Sequence, residues 1–126
     1  MSDDLKKLSR GLSEISTWLK CDKSPWVIAG PCSAESREQV IATARELAAC
    51  AHVKVFRAGL WKPRTRPNTF EGVGEAGLEW LRAVKAETSL PTTTEVAAAR
   101  HVELCLDNGV DILWIGARTT VNPFLV

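Results

Sequence analysis

Residues 90–118 read LPTTTEVAAARHVELCLDNGVDILWIGAR, and this stretch decides the fold. The threonine-rich segment from Leu90 to Val96 has the composition of a β-strand. Ala97 to Asn108 predicts a helix, which Asn108-Gly109 would end, and Asp111 to Ile115 predicts a second strand. Two short strands joined by one helix are typical of a parallel βαβ unit.

The same rhythm runs through the preceding residues. Apolar strands are predicted at Trp26 to Ala29 and at Val53 to Phe56. Helices are predicted at Ser36 to Cys50, with Ser36 as the N-cap, and at Gly77 to Thr88. Short strands that are buried on both faces and separated by helices predict a parallel sheet in an α/β fold. The rhythm fits an open doubly wound sheet and half of a closed barrel equally well.

Residues 1–25 are predicted to form a helical extension that precedes the main fold of residues 26–126. The apolar positions of this extension recur every three or four residues, at Leu5, Leu8, Leu12, Ile15 and Leu19. At the other end, the chain stops shortly after the fourth strand with Pro123-Phe124-Leu125-Val126 and no predicted helix to cover that strand. Half a barrel leaves two unpaired edges, which folded proteins avoid, so we expect the sequence to be truncated.

The composition sets limits on the function. The 126 residues are 45% hydrophobic and 25% charged, which is typical of a globular domain and not of a disordered chain. A net charge of +1 excludes a global polyelectrolyte role, so nucleic acid is not an expected partner. Met1 to Lys7 lacks the apolar segment of a signal peptide, and no run approaches the ~20 apolar residues that span a bilayer. We therefore expect a cytoplasmic protein without a membrane partner.

The most informative stretch follows the second strand, because α/β folds bind their ligands at the carboxyl ends of the strands. Four cations lie between Arg57 and Pro67 with no carboxylate among them: Arg57, Lys62, Arg64 and Arg66. Pro63 and Pro67 stiffen the loop, and guanidinium forks together with an ammonium suit a phosphate group. Arg118, which follows the fourth strand, should converge on the same edge of the sheet.

Glu95 ends a predicted strand of otherwise uncharged residues. Its carboxylate would orient water or an ammonium at the active site, or serve as a counter-ion for Lys62 or Arg57; its place at a strand end favours the active site.

The cationic loop has two alternatives of its own. It could be a solvated or ion-paired surface, or it could bind single-stranded nucleic acid with Trp61 and Phe70 as stacking platforms. The near-neutral chain disfavours nucleic acid.

The cysteine pattern is that of a reduced protein. The chain has four cysteines: Cys21, Cys32, Cys50 and Cys105. They contain no C-x-x-C and suit neither a zinc ribbon nor a disulfide framework, so we interpret them as ordinary buried thiols. Cys32 is the exception, because its position after the first strand also suits catalysis or metal binding. A lone thiolate does not hold a divalent ion, and neither histidine helps. His52 precedes the second strand, and His101, inside the third helix, is interpreted as a surface or packing residue.

Several segments, taken in order, resemble the 3-deoxy-7-phosphoheptulonate (DAHP) synthases. They are Val27-Ile28-Ala29-Gly30-Pro31-Cys32-Ser33-Ala34-Glu35, Phe56-Arg57-Ala58-Gly59 with Lys62-Pro63-Arg64-Thr65, Phe70-Glu71-Gly72, and Ile115-Gly116-Ala117-Arg118-Thr119. The resemblance covers residues 26–126, and the K-P-R-T and I-G-A-R segments are its most specific parts. It is closest to the shorter form of the family, among bacterial enzymes with a C-terminal chorismate mutase domain that these residues do not include.

The resemblance implies the N-terminal half of a (β/α)8 TIM barrel, with about four βα units. The family condenses phosphoenolpyruvate with erythrose 4-phosphate to 3-deoxy-D-arabino-heptulosonate 7-phosphate and phosphate, the first step of the shikimate pathway. It implies a divalent metal ion, Mn²⁺ or another first-row ion, that polarises the aldehyde. It also implies a homo-oligomer when the protein is complete.

The resemblance further implies roles for individual residues. Cys32 resembles the metal-ligating cysteine, and Glu95 resembles the carboxylate near the reacting carbon. The residues on the phosphoenolpyruvate side are Arg57, Lys62, Gly116, Ala117 and Arg118. Those that resemble the clamp on the aldose phosphate are Lys62, Pro63, Arg64 and Thr65. Lys62, which serves both substrates, and Glu95 are the implied catalytic residues.

The family's other metal ligands, a His, a Glu and an Asp, come from the second half of its barrel and cannot be assigned here. We therefore expect the 126 residues to be inactive by themselves. Two alternatives stay open. One is the sister enzyme 3-deoxy-8-phosphooctulonate synthase, which uses arabinose 5-phosphate, although the K-P-R-T segment favours erythrose 4-phosphate. The other is a non-catalytic half-barrel that binds or regulates a second half-barrel.

Overall fold

The computed structural model describes residues 13–19 and 25–126. The strands are β1 (Val27–Ala29), β2 (Val53–Arg57), β3 (Thr92–Val96) and β4 (Ile112–Ile115). The α-helices are α1 (Arg37–Ala48), α2 (Ala76–Thr88), α3 (Ala99–Asp107) and α4 (Ala117–Thr120). The predicted alternation of strands and helices over residues 26–126 is confirmed, and the boundaries shift by one or two residues. The short helix α4 was not predicted.

The four strands form one parallel sheet in the order β1-β2-β3-β4. A doubly wound sheet reverses its strand order at a switch point, and no reversal occurs among the described strands. Right-handed crossovers between successive neighbours place the helices on one face of the sheet, as in a barrel. The ambiguity left by the sequence is therefore resolved in favour of a partial barrel with four βα units.

The hydrophobic core lies between the sheet and the helices. On α1 the buried residues are Val40, Ile41 and Ala44, and on α2 they include Leu78, Leu81 and Val84. Phe56 of β2 and Leu60 of the following loop are fully buried beside them. Each large apolar side chain buried in this way stabilises the fold by about 1.5–3 kcal/mol relative to an exposed one.

The prediction that the strands are buried on both faces is wrong for the two outer strands. Val27 and Ile28 of β1 are 43% and 44% exposed, and Ile115 of β4 is 48% exposed. In β3, by contrast, all residues except Glu95 are buried. The strand order explains the difference, because β1 and β4 each have a neighbour on one side only.

The helical extension predicted for residues 1–25 lies largely outside the described residues. Within residues 13–19 the structure contains a 3-10 helix at Ile15–Thr17, and Leu19 is buried. Trp18 of this segment lines a cavity of about 510 Å³ with Asp111, at the amino end of β4. The segment therefore lies away from the carboxyl edge of the sheet. None of the described helices has the length and apolar character needed to cross a membrane.

Two local structures hold the turns on either side of the sheet. Ser36 is the N-cap of α1, as predicted: its Oγ accepts a hydrogen bond from the Gln39 N–H at 3.1 Å. The Gln39 side chain in turn accepts from the Glu35 N–H at 2.9 Å, which fixes the turn that carries Cys32. At the amino edge, Asp111 accepts from the Thr92 N–H at 2.8 Å.

Candidate active site

The carboxyl ends of β3 and β4 and the loop after β2 surround a cavity of about 370 Å³, which we call the first cavity. Its lining residues are Lys62, Pro63, Glu95, Trp114, Ile115, Gly116, Ala117 and Arg118. Parallel strands place their carboxyl ends at one edge, and this is why residues distant in sequence meet here. The expected convergence of Lys62, Glu95 and Arg118 is found in the structure.

Cys32 lies beside Lys62 at this edge. The Lys62 Nζ donates a hydrogen bond to the Cys32 Sγ at 3.3 Å. This hydrogen bond and the positive charge of Lys62 lower the pKa of the Cys32 thiol, and the charge of Arg57 adds to the effect. Cys32, the exception among the predicted buried thiols, is exposed, whereas the interpretation of Cys50 as a buried thiol is wrong, because Cys50 is exposed too. Cys105 is buried as predicted, and Cys21 lies outside the described residues.

Arg57 is the last residue of β2 and lies on the face of the sheet opposite the helices. Its guanidinium carbon is 5.3 Å from the centroid of the Trp114 ring, a cation–π distance. Its Nε is buried without a hydrogen-bond partner among the described residues. Arg57 and Trp114 also line a cavity of about 260 Å³ with Thr93. Arg57 thus has an unused donor close to the first cavity but does not line it.

Glu95 is close to the backbone of the β4–α4 turn. A Cβ placed on Gly116 would lie only 1.9 Å from Glu95 Oε1, so glycine leaves the space that the carboxylate occupies. Glu95 takes part in no ion pair with the described residues, and Lys62 donates to Cys32 instead. The counter-ion interpretation of Glu95 therefore has no support in the geometry. The carboxylate faces the first cavity.

Arg118 connects the two loops that form the first cavity. It lies in α4, immediately after β4, and its Nη1 donates a hydrogen bond to the carbonyl oxygen of Pro63. Pro63 belongs to the loop after β2, so this contact holds that loop against the end of β4. The rest of the exposed Arg118 guanidinium is available to a ligand.

A second cavity of about 250 Å³ lies on the other side of Lys62 and Pro63. Its lining residues are Trp61, Lys62, Pro63, Arg64, Glu71, Ala97 and His101. The Arg64 Nε donates to the carbonyl oxygen of Phe70 at 3.0 Å, which holds the guanidinium close to the loop. Thr65 and Arg66 are exposed on the outer part of the same loop. The cations are thus divided between two adjacent cavities and do not all share one mouth.

His101 is the residue whose place at the site was not predicted. Its ring stacks on that of Trp61 with centroids 4.1 Å apart and an interplanar angle of 8°. Its Nδ1 accepts a hydrogen bond from the Ala97 N–H at 3.2 Å, and burial lowers its pKa. It is a packing residue as expected, but it packs against the cationic loop. One sequence signal could have indicated its place at the site: it lies in the first turn of the helix that follows β3, close to the carboxyl end of that strand.

The donor set at this edge does not make a complete metal site. Among the described residues, no three His, Cys, Asp or Glu side chains lie close enough together to hold a metal ion. Cys32 offers one thiolate, and its nearest polar partner is the ammonium of Lys62. A divalent first-row ion needs several such donors.

Known proteins of similar sequence match most of this chain. Phospho-2-dehydro-3-deoxyheptonate aldolase from Thermotoga maritima is 42% identical over 96 residues, which are 76% of this chain and 28% of that protein. 2-Dehydro-3-deoxyphosphooctonate aldolase from Azoarcus sp. is 34% identical over 87 residues, which are 64% of this chain and 31% of that protein. The chain therefore spans less than a third of the length of these relatives.

Structural comparison agrees with the sequence comparison. The crystal structure of the phospho-2-dehydro-3-deoxyheptonate aldolase (DAHP synthase) from Thermotoga maritima matches with a TM-score of 0.71 at 40% identity, over 80% of this chain and 29% of that one. The predicted partial barrel is thereby confirmed. The sequence profile of the DAHP synthetase I family matches residues 15–126. The chain belongs to the DAHP synthetase I family.

Proposed function

We propose that this chain forms the substrate-binding edge of a transferase that condenses phosphoenolpyruvate with erythrose 4-phosphate. The observation that carries the proposal is the pair of adjacent cavities that share Lys62 and Pro63, each with a further cation. Two phosphorylated substrates that react with each other need two cationic sites side by side. The products would be 3-deoxy-D-arabino-heptulosonate 7-phosphate and phosphate, as the resemblance implies.

We assign phosphoenolpyruvate to the first cavity. Lys62 and Arg118 line it, and Arg57, whose Nε has no partner among the described residues, lies over Trp114 in the cavity wall. Ammonium and guanidinium donors aimed at one phosphate form charge-assisted hydrogen bonds, which are about twice as strong as neutral ones. Gly116 and Ala117 contribute the wall of the cavity after β4.

We assign the aldose phosphate to the second cavity. Arg64 lines this cavity, and Lys62 lies at the boundary with the first cavity. Pro63 fixes the backbone between these two cations, so the distance between their donors changes little when the ligand binds. Thr65, on the exposed loop beyond Arg64, would add a hydroxyl donor.

The reaction forms one carbon–carbon bond. The terminal carbon of phosphoenolpyruvate attacks the aldehyde carbon of the aldose, and the aldehyde oxygen gains a proton. Water adds at the phosphate-bearing carbon, and phosphate then leaves. Lys62 and Arg118 would stabilise the phosphate charge during these steps, and Glu95, facing the same cavity, would orient the attacking water.

A divalent ion stays a proposal that rests on the resemblance. Cys32 would provide one thiolate ligand, since Lys62 and Arg57 favour its ionised form. When bound, such an ion would act as a Lewis acid toward the aldehyde. Because the described residues do not complete a metal site, no step above is assigned to the ion.

The proposal is tested by titrating phosphoenolpyruvate into the full 126-residue chain in a calorimeter. Lys62→Met and Arg118→Met each remove a charge-assisted hydrogen bond, so the dissociation constant should rise about 10-fold or more. Arg100→Met is the matched control, because Arg100 is an exposed cation on α3 that pairs with Glu103. Equal affinity in all variants, or no preference for phosphoenolpyruvate over sulfate, would contradict the assignment.

A second measurement concerns turnover. With both substrates and added Mn²⁺, we expect the 126-residue chain to form no heptulosonate phosphate above background. The reason is that Cys32 is the one metal ligand that the resemblance assigns to this chain, and the described residues do not complete a metal site around it. Clear turnover would show that these residues suffice for the reaction.

Arabinose 5-phosphate is the alternative second substrate. The Azoarcus relative, named for the phosphooctonate, is 34% identical, against 42% for the relative named for the heptonate. Lys62-Pro63-Arg64-Thr65 also favours erythrose 4-phosphate. The two aldose phosphates are made to compete for the second cavity in the unaltered chain and in an Arg64→Met variant. The aldose phosphate that binds more tightly, and whose binding depends on Arg64, is the second substrate.

The remaining features are proposed more broadly. We propose that the enzyme works in the cytoplasm, because its exposed Cys32 requires a reducing compartment to stay a free thiol. The proposal that it is a homo-oligomer rests on the resemblance alone. The alternative is a non-catalytic half-barrel that pairs with a second one through its exposed outer strands. Sedimentation of the chain with and without phosphoenolpyruvate distinguishes them, since the non-catalytic module forms a defined dimer without binding the substrate.

A further inference from the structure

The loop that carries the cations is long and has few internal restraints. Residues 58–75, all within the described part of the chain, connect β2 to α2 without a helix or a strand, and residues 64–71 are exposed. A loop of this length needs anchors if its side chains are to stay in one arrangement. The Lys62 N–H donates to the Glu71 carbonyl at 2.8 Å, and the Gly74 N–H donates to the Leu60 carbonyl at 2.9 Å.

Those two bonds close the loop on itself. The Leu60 N–H attaches the beginning of the loop to β3 by donating to the Thr94 Oγ1 at 3.3 Å, and Arg118 donates to the Pro63 carbonyl. The stack of Trp61 on His101 adds an attachment to α3, because His101 lies in that helix. Trp61 directly precedes Lys62, so an indole held in place also restrains the backbone from which Lys62 and Arg64 extend. Parallel aromatic rings at this distance add a favourable contact beyond the area they bury.

The His101 ring is itself held in one orientation. The Ala97 N–H donates to Nδ1 at 3.2 Å, so the ring proton of the neutral form is on Nε2. Ala97 lies in the turn between β3 and α3, two residues after Glu95. One hydrogen bond and one stacking contact therefore connect the end of β3 to the cationic loop.

We propose that His101 is a positioning residue: by stacking on Trp61 it holds Lys62 and Arg64 in the arrangement that binds phosphate. The identity of the ligand in this inference rests on the proposed function. The ordering of the loop rests on the stack alone. The two parts are therefore tested separately.

Limited digestion with trypsin reports the order of the loop. Lys62 and Arg66 each precede a proline, which blocks cleavage, so cleavage within the loop is confined to the Arg64–Thr65 bond. Arg82, exposed in the middle of α2, provides an internal reference for opening of the whole fold. The quantity measured is the ratio of the cleavage rate at Arg64 to that at Arg82.

Three variants separate the ring from its hydrogen bond. His101→Ala removes both and should raise the Arg64 to Arg82 ratio about fivefold to tenfold. His101→Phe keeps a flat ring and should stay close to the unaltered protein, whereas His101→Asn keeps an acceptor without the ring and should resemble the alanine variant. Trp61→Leu should raise the ratio as much as His101→Ala does, because both substitutions remove the same stacking contact. The double variant should therefore raise the ratio no further than either single variant.

An unchanged ratio in His101→Ala, or cleavage at Arg64 and Arg82 that rises in parallel, would overturn the inference. Should the alanine variant not fold, the phenylalanine and asparagine variants give the same comparison. Phosphoenolpyruvate affinity is measured on the same variants and should fall in those whose ratio of Arg64 to Arg82 cleavage rises. A variant with a raised cleavage ratio and unchanged affinity would also overturn the positioning role. If the unaltered chain binds no phosphoenolpyruvate, the proposed function fails, and the cleavage ratio still decides whether the stack orders the loop.

Discussion

The ammonium of Lys62 donates a hydrogen bond to the Cys32 sulfur at 3.3 Å and so joins the loops that follow β1 and β2. The two residues are separated along the chain by all of α1 and β2. The contact favours the ionised form of the thiol, because a positive charge beside a thiol lowers its pKa.

Lys62→Met should therefore raise the pKa of Cys32 toward its ordinary value. At neutral pH the thiolate fraction falls, and alkylation of Cys32 by iodoacetamide should slow severalfold; at strongly alkaline pH the two proteins should react alike. Peptide mass spectrometry follows each cysteine separately. The exposed Cys50 should react equally in both proteins, and Arg100→Met should leave Cys32 unaffected. Equal rates at Cys32 in the methionine variant would refute the coupling.

Gly116→Ala should destabilise the protein through a single contact. The added Cβ would lie 1.9 Å from Glu95 Oε1, while the Gly116 backbone, at φ −67° and ψ 157°, accepts alanine without strain. Because the Glu95 side chain can turn away from the added methyl group, we expect a loss of only about 0.5–1.5 kcal/mol in the free energy of unfolding, measured with urea. In a Glu95→Ala background the same substitution should cost much less. An equal cost in both backgrounds would show that the carboxylate is not the obstacle.

Asp111 should matter more to stability than its ion-pair partner. One carboxylate oxygen pairs with Lys85 at 2.5 Å, and the other accepts from the buried Thr92 N–H at 2.8 Å. Asp111→Ala leaves that N–H without a partner and should cost about 1–3 kcal/mol. Lys85→Met removes a half-exposed ion pair and an exposed hydrogen bond from the Lys85 Nζ to the Gly109 carbonyl at 3.3 Å, and it should cost about 1 kcal/mol or less. Urea unfolding of both variants tests the order, and a larger loss for Lys85→Met would reverse it.

Cys105 should make the fold sensitive to alkaline pH. It is completely buried, and burial raises its pKa from 9.0 to about 11. The unfolded chain releases this proton first, so the stability is intact below pH 9 and falls as the pH rises toward 11. The loss reaches about 3 kcal/mol at most. Cys105→Ala should lose less stability than the unaltered protein between pH 8 and pH 10.5, with reductant present. Parallel losses in the two proteins would argue against this origin.

The order of elements could be predicted from the sequence because each depends on local pattern. Ser36 was identified as an N-cap from its residue type alone, and the helix predicted from Gly77 to Thr88 differs from α2 by one residue. The choice between open sheet and barrel could not be made this way. It depends on which strands lie side by side, and crossover helices connect either arrangement equally well. For the same reason the exposure of Ile28 was missed, since an edge strand cannot be recognised before the strand order is known.

The residues of the candidate site that meet because of their position at strand ends could be predicted from the sequence. The contacts that depend on the direction of a side chain could not. Lys62, Glu95 and Arg118 meet because parallel strands present their carboxyl ends together. Arg57, by contrast, extends over Trp114 on the face away from the helices. The His101 stack joins two residues that no local pattern relates.

The two cavities meet only at Lys62 and Pro63, and this geometry has an evolutionary consequence. Replacement of Arg64 or Glu71 reshapes the second cavity and leaves the rest of the first cavity wall as it is. A lineage that carries this fold can therefore change the ligand of the second cavity by small steps while the first cavity is inherited unchanged. Lys62 and Pro63 have no such freedom, because a mutation at either one changes both cavities at once.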